Sequence, residues 1–175
     1  MFLTETTLSG HLTITAVDAE GTRTVLSDKK NQIVNGFLTS AAELITQQTI
    51  QPAELAIASL WVEASPTALV NPVQPSDVGP EGTVVKRYAF TTADIDTGIG
   101  GVPGLVEFRA VLDKTEANGQ IIRAAGLYTK GSTTPTDPGI GDRGETLVAR
   151  QIAGSIPKDQ SIALEFAWRV QFKIA

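Results

Sequence analysis

Few residues in this chain have the type and spacing to do chemistry. There is one histidine, His11, no cysteine, and one pair of closely spaced aspartates in a glycine-rich stretch, Asp94 and Asp96. Asp96-Thr97-Gly98 has the form of the aspartic protease triplet. Two such carboxylates, supplied by a homodimer, would share a proton and activate water. Those triplets follow apolar residues on a buried strand. Here the triplet follows Thr92-Ala-Asp94-Ile95 and runs into Gly98-Ile-Gly-Gly-Val-Pro-Gly104, which reads as an exposed turn. Asp94 and Asp96 also offer two oxygen ligands to calcium. A calcium loop spaces several ligands and ends in a bidentate glutamate, and that pattern is absent. Gly98-Ile-Gly-Gly101 resembles part of a phosphate-binding loop but lacks its lysine and its following helix. Nothing marks a nucleophile elbow that would recruit His11. Trp61, Tyr88, Tyr128 and Trp168 are the rings that could stack on a sugar, although in alternating strands such rings usually belong to the core. The expectation is therefore no catalytic, cofactor-binding or metal-binding residues and no cofactor.

The elements that would position these residues are mostly strands. Ile162, Leu164, Phe166, Trp168, Val170, Phe172 and Ile174 take every second place in the last segment. Period two predicts a half-buried antiparallel strand roughly 40 Å long at about 3.3 Å per residue. It puts Trp168 in the core. Residues 10–18 and 22–26 flank the turn Asp18-Ala-Glu-Gly21 and predict an opening hairpin. Phe37, Ala41, Leu44 and Ile45 recur at helical spacing, predicting one amphipathic helix over about 36–48, with Asn35 as its cap. Residues 55–64 predict a buried strand, with a helix as the competing reading; Ile57, Ser59, Trp61 and Glu63 share one face and Ala56, Ala58, Leu60 and Val62 the other. Strands follow at 83–91, 105–113, 120–129 and 145–152. Glu116-Ala-Asn-Gly119 predicts a hairpin turn between the strands at 105–113 and 120–129, because Asn-Gly tolerates positive φ. The expected fold is mainly β: an antiparallel β-sandwich of about eight strands with the helix packed on it. It forms one domain over 1–175, with long loops at 65–82, 92–104 and 130–144.

Bulk properties narrow the function. Hydrophobic residues make up 42% of the chain and charged residues 19%, which is enough apolar surface to order a core. The net charge of −5 argues against a non-specific nucleic-acid binder, which needs a basic face. Lys29-Lys30 and Lys86-Arg87 are only pairs. No stretch reaches the roughly 18 apolar residues of a membrane helix. Met1-Phe2-Leu3-Thr4-Glu5 has no basic start followed by an apolar run, so no signal peptide is expected.

Three stretches resemble a pattern found in small bacteriophage virion structural proteins of the tail, baseplate or neck. They are Asp28-Lys-Lys-Asn31-Gln-Ile-Val34-Asn-Gly36 leading into the helix, Leu112 to Gly126-Leu127-Tyr128, and Leu147-Val-Ala149-Arg150 followed by Ile156-Pro-Lys158 and the closing strand with Trp168. The chain carries Arg123-Ala-Ala125 before Gly126, where the pattern has an acidic residue nearer the glycine, so no ion pair is carried over. The resemblance implies a β-sandwich, a homo-oligomer in a symmetric assembly, and a place in the virion among other virion proteins, with no direct nucleic acid or membrane partner. A capsid decoration protein and a carbohydrate-binding module of a host-recognition fibre are the competing expectations.

Overall fold

The structure is a computed structural model that describes residues 6–35, 37–38, 56–69, 79–130 and 145–174. Nine strands form among the described residues: β1 (Thr6–Val17), β2 (Arg23–Ile33), β3 (Ile57–Ala64), β4 (Thr83–Ala89), β5 (Ile95–Asp96), β6 (Leu105–Leu112), β7 (Gln120–Thr129), β8 (Leu147–Lys158) and β9 (Ala163–Ile174). Neighbours are hydrogen-bonded in the order β4-β3-β7-β8-β2-β1-β9-β6-β5, and every pair is antiparallel.

This path closes over itself as a sandwich because β2 changes sheets. Its first part pairs with β1 up to Asn31, while Gln32 and Ile33 pair with Arg150 and Ala149 of β8. The first sheet is β2-β1-β9-β6-β5 and the second is β4-β3-β7-β8. The expected mainly β sandwich is thus observed. The ninth strand is β5, two residues inside the stretch 92–104 that the sequence presents as loop. Ile95 and Asp96 pair with Phe108 and Glu107.

Alternation decides which side chains enter the core. Leu12 and Ile14 of β1, Phe108, Ala110 and Leu112 of β6, and Leu164, Phe166 and Trp168 of β9 face inward and are buried. They meet Leu60 and Val62 of β3, Ile122 and Leu127 of β7, and Val148 and Ile156 of β8. Trp168 is fully buried, as its place in the stripe requires.

The β1–β2 hairpin forms as expected, with Gly21 at φ 83° and the Asp18 carboxylate accepting from the Glu20 and Thr22 amides. The expected hairpin at Glu116–Gly119 does not form. β6 pairs with β5 and β9 in the first sheet, whereas β7 pairs with β3 and β8 in the second. The link between them crosses the edge of the sandwich. A two-residue turn would hold both strands in one sheet. Here Asp113 to Gly119 intervene, positive φ falls on Ala117 and Gly119, and the Glu116 carboxylate accepts from the Asp113 amide. Helical structure begins at Asn35, and Phe37 enters the core. The rest of the expected helix, and residues 131–144 of the third expected loop, lie outside the described residues.

Candidate functional site

His11 and Asp96 lie on one row across the first sheet. His11 is opposite Arg169, Arg169 opposite Glu107, and Glu107 opposite Asp96. Three strand spacings of about 4.8 Å separate them by roughly 14 Å, too far for a shared proton or ion. Two other charged side chains stand between them. His11 instead turns to Asp28: its Nε2 lies 2.6 Å from Asp28 Oδ1, which also accepts from Thr13 Oγ1 at 2.7 Å. The Thr13 bond, helped by the His11 contact, holds the Asp28 carboxyl below its ordinary pKa.

Asp94 is a turn cap. Its Oδ2 accepts from the Thr91 hydroxyl and amide at 2.6 and 2.8 Å, and its Oδ1 accepts from the Tyr88 hydroxyl at 3.0 Å. These bonds, the Thr91 hydroxyl first, lower its pKa. Asp96 closes the next turn, accepting from the Gly98 amide at 2.9 Å. Both aspartates therefore organise backbone, the role turn chemistry assigns to short carboxylates. Among the described residues no group of three histidines, cysteines or carboxylates is placed to hold a metal ion.

The sequence did not signal Glu107. It sits on the outer face of β6 yet is almost fully buried. Arg109 Nε donates to Oε1 at 2.6 Å and Arg169 Nε donates to Oε2 at 2.7 Å. Burial raises its pKa, but the two arginines more than offset this and hold it below the ordinary value. The exposed outer face of this sheet continues with Arg23 bonded to Glu165.

The outer face of the second sheet closes its polar groups more completely. Arg150 and Glu63 are both fully buried and form a two-point bridge: Nε to Oε1 at 3.0 Å and Nη2 to Oε2 at 2.9 Å. Glu63 Oε2 also accepts from the Glu81 and Gly82 amides, tying down the approach to β4. Arg150 reaches Glu63 diagonally across β7, which lies between β8 and β3. Arg87, Trp61, Gly126 and Arg150 form one row across β4, β3, β7 and β8. Gly126 contributes no side chain, and the space beside it is taken by the Tyr128 ring and Leu147. The acidic partner is supplied by β3 rather than by the strand carrying the glycine.

Trp61 stacks on Tyr128 with centroids 3.9 Å apart at 18°, and the Arg87 guanidinium lies 3.9 Å over the Trp61 ring. Trp61 is 8% exposed and Tyr128 2%, so neither presents a free face for a sugar. Burial raises the Tyr128 pKa, with Glu63 adding to the shift. Lys158 is likewise buried, its ammonium donating to the carbonyls of Lys114 and Asp159 and to Asn118 Oδ1. The sequence carried a faint sign of this polar face: Ser59, Trp61 and Glu63 alternate with apolar residues on β3.

No family model, curated protein or solved structure matches the chain. Among the described residues no helix is long and apolar enough to cross a membrane.

Proposed function

We propose that the chain is a non-enzymatic structural component of a bacteriophage particle, part of the tail, baseplate or neck, working through contacts with other virion proteins and copies of itself. One observation carries the reading. The carboxylates that looked reactive are engaged by their own neighbours, while a broad charged face of the first sheet remains exposed. A reactive carboxylate needs a perturbed environment beside space for a substrate. Asp94 and Glu107 have their oxygens held by bonds that favour the ionised, resting form. The sequence resemblance supplies the phage assignment, and a rigid sheet framework suits a part that must repeat in a symmetric assembly.

Gradient-purified particles from the host, probed with an antibody to this chain, test the proposal. The expected result is a constant stoichiometry with the other particle proteins. Absence from the particles would sink it. Asp96→Asn is expected to leave incorporation unchanged, and its loss would revive a chemical role for that carboxylate.

A further inference from the structure

The outer face of the first sheet carries a pattern that is complementary to itself. Three successive rows cross β2, β1, β9 and β6. They read Lys30-His11-Arg169-Glu107, Asp28-Thr13-Ala167-Arg109 and Val25-Thr15-Glu165-Val111. Each row has opposite or matching character at its two ends: a cation against an anion, an anion against a cation, a valine against a valine. The end residues of the last two rows are open to solvent, with Val25 60% and Val111 41% exposed, and with the side chains of Asp28 and Arg109 57% and 64% exposed.

We infer that this face is the docking surface for a second copy of the chain, related by a two-fold axis parallel to the strands and midway between β1 and β9. This rests on the assembly reading above and names the surface it uses. A half-turn about that axis exchanges β2 with β6 and β1 with β9 and keeps every residue at its height. Asp28 then faces Arg109 of the second copy and Val25 faces its Val111, while Lys30 lies over the end of the row where Glu107 is buried beneath Arg109 and Arg169. An axis at right angles, along the Thr13 row, would instead set Asp28 on Asp28 and Arg109 on Arg109. Charge complementarity therefore selects the occupant and the orientation.

Local bonding leaves room for the exchange. Both bonds to Asp28 fall on Oδ1, and Arg109 bonds Glu107 through Nε. Four strands at about 4.8 Å by eight residues at about 3.3 Å give a face of roughly 500 Å². Counting both copies, about 1,000 Å² is buried, the lower bound for a specific interface. Salt should weaken such an interface, because its pairs lie near solvent.

The chain has no cysteine, so Val25→Cys and Val111→Cys each introduce a unique thiol. Facing sheets lie about 10 Å apart, within reach of a short bis-maleimide. The expected result is covalent dimer when the two single variants are mixed and little when either is alone. Equal cross-linking in each variant alone, or none in the mixture, overturns the axis. Sedimentation supplies the second arm. Asp28→Arg and Arg109→Asp are each expected to weaken self-association by about tenfold or more, and the double variant to restore it. A double variant as monomeric as its parents overturns the pairing. Should a charge reversal prevent folding, the cross-linking arm still decides. A chain that is monomeric alone yet enters the particle overturns this surface and leaves the proposed function standing. A chain that dimerises as described but never enters a particle does the reverse.

Discussion

Replacing Glu63 by glutamine removes one charge and almost no volume from the outer face of the second sheet. Arg150 is then left fully buried with its closest anion gone. Among the described residues, Glu81 is a second carboxylate beside it, 3.4 Å away and partly exposed. An exposed ion pair contributes about 0–1 kcal/mol, so its loss would scarcely register. Stranding one partner of a buried pair costs about 3–5 kcal/mol. Glu81 and the retained glutamine oxygen, which can still accept from the Glu81 and Gly82 amides, place Glu63→Gln near the lower end, about 3 kcal/mol. Urea unfolding followed by tryptophan fluorescence reads this directly. With a slope of about 2 kcal/mol per molar, the midpoint should fall by about 1.5 M. A second arm separates the charge from the contact. Glu63→Leu with Arg150→Met removes both charges and is expected to recover much of the loss, since a buried pair replaced by apolar groups is often close to neutral. Glu63→Gln within about 1 kcal/mol of the parent, or a double variant equal to the sum of the singles, would refute the claim that the two charges stabilise each other.

Three further outcomes are expected. Glu107 has a depressed folded pKa, so its contribution is present above the unfolded value of 4.5 and is lost as pH falls through the folded one; stability measured from pH 6 to 3 should fall less steeply in Glu107→Gln than in the parent. A Cβ on Gly126 would lie 3.0 Å from Tyr128 Cε2 and 3.1 Å from Leu147 Cδ1, so Gly126→Val should cost about 1–3 kcal/mol in thermal unfolding by overpacking. Lys158→Met strands two acceptors at the β6–β7 link, Lys114 O and Asn118 Oδ1, and a third at Asp159, and amide exchange at Gly119, whose N–H donates to the Lys158 carbonyl, should accelerate before the rest of the sheet.

Local patterns were legible wherever one face of a strand is wet. The stripe through Trp168 on β9, the Val106-to-Leu112 alternation on β6 and the Asp18–Gly21 turn all read correctly, because each depends on residues within a few positions of one another. Asn118-Gly119 misled for the same reason. The dipeptide permits a turn, but the partner of β6 is chosen by its match with β9, 52 or more positions away, over eight paired residues from Leu105 to Leu112. The polar clusters were illegible because their members come from distant strands. Nothing near Ala149-Arg150 announces that Glu63 lies beyond β7 on β3, and nothing near Glu107 announces Arg169. The reactive appearance of His11, Asp94 and Asp96 dissolved once the register put two of them on one row with Arg169 and Glu107 between.

The two sheets handle charge in opposite ways, and the difference bears on assembly. In the second sheet Glu63 and Arg150 are out of water, so neither can change partner without stranding the other at a cost of several kcal/mol. Such a pair fixes register and cannot serve as an adjustable contact. In the first sheet His11–Asp28, Arg23–Glu165 and Arg109–Glu107 each have at least one member in solvent. Pairs of that kind contribute little to the fold, so trading part of their bonding for an equivalent bond to another chain costs little. The first face can therefore re-pair across an interface while the second holds the framework rigid. The proposed docking of copies would use the first face for that reason, since its outermost charges, Asp28 and Arg109, can be re-paired while Glu63 and Arg150 stay fixed.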